Sequence, residues 1–226
     1  MPVRPKAVVF DIIETVFALE PMRRRLAGLG LPPNDLETWF AFGLRDAFAI
    51  AATGAPPPFP KILAGALDAL LAVRGLSASE SERNAALDGM KQLPPQPQAG
   101  EAFGLLQQAG LPIFALSNGT EAATRALLET SGLIDHVEAV LSVEAVHTFK
   151  PHAEVYRHAV ERAGVAPHEA MLVATHAWDT QGAKAAGLQA AFVARGQAYP
   201  PEMLAPDVTG EDLVDVAKAI LALPQS

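Results

Sequence analysis

The apolar run Ala7-Val8-Val9-Phe10 ends in a lone carboxylate, Asp11, which is followed by Ile12-Ile13-Glu14-Thr15. A continuous Val- and Ile-rich run without polar alternation fits a strand covered on both faces, so residues 7 to 13 read as a strand of a parallel sheet. Polar residues recur after three later apolar runs: Ser117-Asn118 after Pro112-Ile113-Phe114-Ala115-Leu116, Lys150 in Thr148-Phe149-Lys150-Pro151, and Asp179 shortly after Met171-Leu172-Val173. In an open parallel sheet, ligands bind outside the carboxyl ends of the strands, so these polar groups are expected to converge on one site. Asp11 is its candidate nucleophile, because a desolvated, ionised carboxylate can attack in line and form an ester that water later cleaves.

The rest of the chain divides into two patterns. From Met22 to Leu93 the apolar residues recur at helical spacing, through Met22, Leu26 and Leu29, then Leu36 to Phe48, Ile62 to Val73, and Ala85 to Leu93. Two proline-rich stretches punctuate this block, Pro56-Pro57-Pro58-Phe59-Pro60 and Pro94-Pro95-Gln96-Pro97, and the second reads as a hinge back to the main domain. From about residue 99 helices and strands alternate. Helices are expected at 99–109, 121–130, 153–163, 180–186 and 210–223, and strands at 112–116, 137–141, 171–174 and 190–193. Such alternation predicts an α/β fold with a doubly wound parallel sheet, whose core is residues 1–16 plus 97–226 and whose inserted helical cap is residues 17–96.

Composition narrows the function. Half of the residues are hydrophobic and 19% are charged, which describes a packed globular chain. The net charge of −8 and the lack of any basic run longer than Arg23-Arg24-Arg25 argue against nucleic acid or an anionic membrane as a partner. With no cysteine, thiol catalysis and cysteine metal sites are excluded. The N-terminal apolar stretch is short and carries Asp11 and Glu14, so neither a signal peptide nor a membrane span is expected, and a cytoplasmic location is the default reading.

In order and spacing, Asp11, Leu116-Ser117-Asn118-Gly119, Lys150-Pro151 with Tyr156, and Ala177-Trp178-Asp179 leading into Gly182-Ala183 resemble the four motifs of the haloacid dehalogenase superfamily, most of all its type II 2-haloacid dehalogenases. The resemblance implies that Asp11 is the nucleophile and that Ser117 binds the substrate carboxylate. It further implies that Asn118 helps to cradle the departing halide, that Tyr156 neighbours Lys150, and that Trp178 lies near the pocket. An ammonium at Lys150 would keep Asp11 ionised, and Asp179 is the candidate to orient the hydrolytic water. Thr15 is read either as a ligand of the strand-end loop or substrate, or as a helix cap; Ser117 and Asn118 could equally cap the helix that follows.

Phosphatases of this superfamily carry a second Asp two residues after the nucleophile, where this chain has Ile13, and a magnesium-binding acid four residues before Asp179, where it has Thr175. Both changes disfavour metal-dependent phosphoryl transfer, and a halide needs no proton to leave, so no metal and no cofactor are expected. The chain also departs from the dehalogenases. Their halide-binding Arg directly after a Trp is replaced by Phe40, after Trp39, and Arg45 lies about 140° further around a helix of 3.6 residues per turn. Arg23, Arg24 or Arg25 are possible substitutes. In the fourth motif the family's Ser is Ala174 and its Asn is His176, a residue able to act as base or water-positioning group near neutral pH. Glu14 stands where many members have Gly. The expected activity is metal-independent hydrolysis of a small 2-haloalkanoic acid to a 2-hydroxy acid. The rivals are another hydrolase on the same nucleophile, including a weak phosphatase, and a catalytically silent protein that binds small carboxylic acids. The aromatic segment around Trp39, Phe40, Phe42 and Phe48 suits either a homodimer interface or the roof of the pocket.

Overall fold

The structure, a computed structural model, describes residues 2–54 and 56–225. Its centre is a six-stranded, all-parallel sheet in the order β3-β2-β1-β4-β5-β6. The strands are β1 (Ala7–Asp11), β2 (Ile113–Ser117), β3 (Ala139–Ser142), β4 (Ala170–Ala174), β5 (Gln189–Val193) and β6 (Val208–Gly210). Every residue of β1, β2, β4 and β5 is buried, which is why these strands read as apolar runs without alternation.

The crossovers are helical: α5 (Ala99–Gln108) before β2, α6 (Glu121–Thr130) before β3, α7 (Ala153–Ala163) before β4, and α8 (Ala177–Ala185) before β5; α9 (Leu213–Ala222) ends the chain. α5 packs with α9 and α7 with α8, the two-sided covering that right-handed crossovers give a sheet wound outward in both directions. At Gly182 an added Cβ would lie 2.5 Å from the Tyr156 hydroxyl and 2.6 Å from Pro151 Cβ. The absence of a side chain there lets α8 approach α7 closely enough for Tyr156 to reach the site.

Between β1 and α5 the chain forms the helical block, α1 (Pro21–Ala27), α2 (Asp35–Thr53), α3 (Phe59–Val73) and α4 (Glu80–Leu87), closed by a 3₁₀ turn at Asp88–Gln92. α2 and α3 pack tightly where Gly43 faces Leu63, and the Trp39 indole donates to Leu63 O at 2.9 Å. Apolar side chains of this block join those of the sheet in one continuous core. Among the described residues, no helix is long and apolar enough to cross a membrane.

Several element boundaries differ from expectation. β1 stops at Asp11 and not at residue 13, because Thr15 and the left-handed backbone of Glu14 (φ 66°) turn the chain immediately. α8 begins at Ala177 and not at 180, so Trp178 and Asp179 occupy its first turn. β6 was not foreseen: with Thr209 and Gly210 beside a single valine it has no apolar run, and it is held as an edge strand by pairing with β5. The last helix therefore starts at Leu213, behind the Asp212 side chain, which accepts from the amides of Val214 and Asp215.

Candidate active site

β1 lies at the point where the sheet reverses, with β2 on one side and β4 on the other. Register places Asp11 opposite Leu116, one residue before Ser117, so the first two motif carboxyl ends meet in the middle of the sheet edge. This is the crevice in which an open α/β sheet binds ligands.

Asp11 is held from behind by a fully buried set of charges. Lys150 Nζ donates to Asp11 Oδ1 at 2.7 Å, to Asp179 Oδ2 at 2.6 Å and to Leu116 O at 3.2 Å. The Tyr156 hydroxyl donates to Asp179 Oδ1 at 2.6 Å. Thr15 Oγ1 donates to Asp11 Oδ2 at 2.6 Å and accepts from the Thr175 amide at 3.0 Å, tying β1 to the end of β4. The Lys150 amide donates to Asn118 Oδ1 at 2.9 Å, so the second and third motifs are also joined.

The charges sort the two carboxyl groups. Burial by itself would raise the Asp11 carboxyl, but Lys150 and His176 overcome it and hold Asp11 well below the usual carboxylate range. Burial raises Asp179, and the negative charge of Asp11 adds to it, so that the opposing pull of Lys150 and the Tyr156 hydrogen bond is exceeded. Burial works against the Lys150 ammonium, yet Asp11 and Asp179 together raise it and keep it charged. One carboxylate is thus set to stay ionised and its neighbour to hold a proton more readily, the kind of separation that gives two acids different roles.

In front of Asp11 is a recess of about 20 Å³, enough for about one water molecule. Its walls include Asp11, Phe40, Phe59, Asn118, His176 and Trp178, with Ser117, Leu44 and Ile13 completing them. A wider cavity of about 460 Å³ lies beyond Phe40, Leu44 and His176, which both spaces share; Glu14, Arg23, Arg195 and Gln96 line its polar side. His176 therefore stands between Asp11 and the larger opening. Its Nε2 is 2.7 Å from Glu14 Oε2 and its Nδ1 is 3.4 Å from Asp11 Oδ2, while its ring stacks on Trp178 with centroids 5.2 Å apart. Burial would lower the imidazole, but the hydrogen bonds to Asp11 and Glu14 raise it to about 9, so the ring is cationic at neutral pH.

Of the residues singled out from the sequence, Asp11, Ser117, Asn118, Phe40, His176 and Trp178 line the recess. Lys150, Asp179, Thr15 and Tyr156 are buried behind it. Thr15 and Tyr156 thus touch the carboxyl groups of Asp11 and Asp179 and not the recess, and Tyr156 reaches Lys150 through Asp179. Ser117 Oγ accepts from the Gly119 amide at 2.9 Å, shaping the turn after β2. None of the arginines considered as a substitute at the Phe40 position enters the recess. Arg23 pairs with Glu20 and Glu37, Arg25 with Ala85 O and Gln92, Arg24 is exposed, and Arg45 pairs with Asp46 above the Phe42 ring. In the aromatic segment, Trp39 fills the core, Phe40 roofs the recess and Phe48 meets Trp178 edge-on.

The residue that sequence reasoning missed is Arg195. Its guanidinium donates to Glu14 O and, at 2.7 Å, to Thr15 O, bracing the loop that follows Asp11. It follows the apolar run of β5 much as the other motif residues follow theirs, so the same argument from strand ends would have found it.

The surroundings of Asp11 do not fit a hard divalent cation. Asp179 has both oxygens engaged, Thr175 Oγ1 donates to Val193 O, Ile13 offers no ligand, and the remaining side of Asp11 faces the imidazolium of His176.

The model of the haloacid dehalogenase-like hydrolases matches residues 5–187. An (S)-2-haloacid dehalogenase of Xanthobacter autotrophicus is 33% identical over 194 residues, spanning 84% of this chain and 75% of that protein. The solved structure of L-2-haloacid dehalogenase from the same organism superposes with a TM-score of 0.87 at 28% identity, covering 96% of this chain and 99% of that one. A second structure of that enzyme, with chloropropionic acid covalently bound, gives a TM-score of 0.86 at 28% identity with the same coverage.

Proposed function

The chain belongs to the haloacid dehalogenase-like hydrolases, and from that premise we propose that it hydrolyses the carbon–halogen bond of a small 2-haloalkanoic acid, with Asp11 as nucleophile and without a metal ion. The observation that carries this reading is the placement of Asp11: it lines a recess shared with Phe40, Phe59 and Trp178 and is anchored through both oxygens by Lys150 and Thr15. The similarity to (S)-2-haloacid dehalogenases supports the choice of substrate class.

In the first step an Asp11 oxygen attacks C2 from the side opposite the halogen. The C–O bond forms as the carbon–halogen bond breaks, the halide leaves with the electron pair, and the configuration at C2 inverts. Burial of the carboxylate strips it of water, and the fixed hydrogen bonds leave little reorganisation to be made in the transition state. Ser117 receives the substrate carboxylate, while Phe40, Phe59 and Trp178 enclose the apolar end.

In the second step water adds to the carbonyl carbon of Asp11. The bond from that carbon to the ester oxygen breaks, the 2-hydroxy acid departs with one water proton on its new hydroxyl, and the other proton is released. Asp179, whose proton affinity is raised by burial and by Asp11, is the group suited to take that second proton through the Lys150 cluster.

The test is halide release from both enantiomers of 2-chloropropionate, and from chloroacetate and fluoroacetate, in EDTA. Release from at least one of them by the wild type, and none by Asp11→Asn, is expected. Equal rates in the two proteins, or activity only after addition of Mg²⁺, would overturn the reading. In a single turnover in ¹⁸O-water the label should enter Asp11 and not the product, because the product hydroxyl oxygen comes from the enzyme.

A further inference from the structure

Glu14 occupies a backbone position that disfavours it. At φ 66° a side chain crowds the following carbonyl, and glycine would sit there without strain. The conformation is enforced from outside: Arg195, itself at φ 46°, donates to Glu14 O and Thr15 O, and Gln96 Nε2 donates to Glu14 O at 3.1 Å. Strained residues held by their surroundings are a reason to ask what the side chain does. Here it reaches back to His176 Nε2, and the same ring turns Nδ1 toward Asp11.

A recess that receives a departing anion is helped by positive charge, and among the described residues that line this one there is a single source of it. Lys150 is sealed behind Asp11 with its donors taken, the helical block contributes uncharged Phe40 and Leu44 to the recess, and its charged Arg23, Glu20 and Glu37 lie across the outer cavity. Arg195 faces the outer cavity and the loop backbone. That leaves His176, with Asp11 on one nitrogen and Glu14 on the other. Beside it, the Trp178 indole N–H is buried and, among the described residues, has no partner.

We propose that Glu14 is a positioning residue: it keeps His176 protonated and oriented, so that the imidazolium passes from Asp11 to the departing halide as the ester forms. This rests on the dehalogenation reading above. Before reaction the Nδ1–H side of the ring faces the Asp11 carboxylate. Alkylation removes the negative charge of Asp11 at the same moment that the halide takes up the electron pair of the broken bond. The proton stays on His176 throughout, and the ring exchanges one anionic partner for another while Glu14 remains on its far nitrogen. A His176 acting as general base in the second step would instead have to be neutral, and would give the opposite dependence on pH.

The test uses the full-length protein with ¹⁵N,¹³C-labelled histidine, the His176 signals being assigned by their loss in His176→Asn. The wild-type ring is expected to remain protonated through neutral pH and to titrate near 9, and Glu14→Gln is expected to lower that midpoint by about one unit or more, a change of about tenfold in proton affinity. Asp11→Asn imitates the uncharged ester, so sodium bromide should shift the His176 signals in that protein, with an affinity about tenfold weaker once Glu14→Gln is added. Glu14→Gly, added to Asp11→Asn, separates function from folding: the backbone strain it relieves offsets the lost ion pair, so it should melt near the temperature of its Asp11→Asn parent yet weaken bromide binding as Glu14→Gln does. A neutral His176 at pH 7, bromide affinity indifferent to Glu14, or turnover that rises as His176 loses its proton would each overturn the proposal. The last result would leave dehalogenation standing, whereas imidazolium and bromide binding in a protein that releases no halide would uphold the Glu14 pair and sink the substrate assignment.

Discussion

Two sides of Asp11 differ in burial and in strain. Behind it, Lys150, Asp179, Tyr156 and Thr15 are each fully buried in the fold and saturate one another with hydrogen bonds of 2.6–2.7 Å. In front, His176 and Glu14 are partly open to solvent, with side-chain exposures of 15% and 36%, and the loops after β1 and β5 that frame them hold Glu14 and Arg195 in left-handed backbones. The rear is built from sequence-distant elements that the sheet locks in register, and it sets the ionisation and aim of Asp11. The front is built on short loops after β1, β4 and β5, where substitution changes what enters the recess without dismantling the core. An apolar core can thus keep one carboxylate fixed while the adjoining loops vary the groups that line the recess.

The sharpest way to break this contrast is Lys150→Met. Removing the ammonium leaves Asp11 and Asp179 facing each other in a buried site, and an unpaired buried charge costs about 3–5 kcal/mol. Denaturant titration should show a loss of that order, and turnover should fall to background. A stable, active variant would mean that the rear cluster does not govern Asp11.

A smaller effect is expected on pH. His176 has a folded value of about 9 against 6.5 unfolded. The native state therefore binds the extra proton between those values. Its contribution to stability is present in full below about pH 6.5 and is lost as the pH rises through about 9; it amounts to a few kcal/mol at most. Melting temperature should decline over that interval in the wild type and stay flatter in His176→Asn. Identical slopes would remove the imidazolium from the front of the site.

Tyr156→Phe should have the least effect on stability, about 1–3 kcal/mol, since it deletes one buried hydrogen bond to a charged acceptor. The catalytic consequence should be read in the pH profile, because losing a donor raises the proton affinity of Asp179 further. An unchanged profile would confine Tyr156 to packing between α7 and α8.

How much of this was legible in the sequence depends on the kind of signal. Asp11, Ser117 and Asp179 each come at or soon after a buried strand, and burial of both sheet faces writes such runs plainly; Lys150 lies in the loop beyond β3, marked in the sequence by Thr148-Phe149-Lys150-Pro151 alone. β6 left no such trace, because a three-residue edge strand gains its place from β5 and not from its own side chains. Trp178 and Asp179 were assigned to a loop, yet they begin α8, where the helix start is set by the return of the chain over β4. Glu14 and His176 were each noted as departures, but their 2.7 Å contact spans 162 positions of chain and no local pattern reports it. Arg195 differs: it stands just beyond the buried run of β5, a local signal of the same kind as those that mark Asp11 and Ser117.

The sequence by itself determined that the chain would form a doubly wound parallel sheet, with a carboxylate at the end of its first strand and a lysine and a second acid at later ones, because apolar periodicity and the order of strands are local properties. Only the tertiary structure decided which of those groups touch the recess, which stand behind it, and which carboxyl group keeps its charge. Those outcomes depend on distances of a few ångströms between side chains from separate elements, and on burial that magnifies the charge of each upon the others.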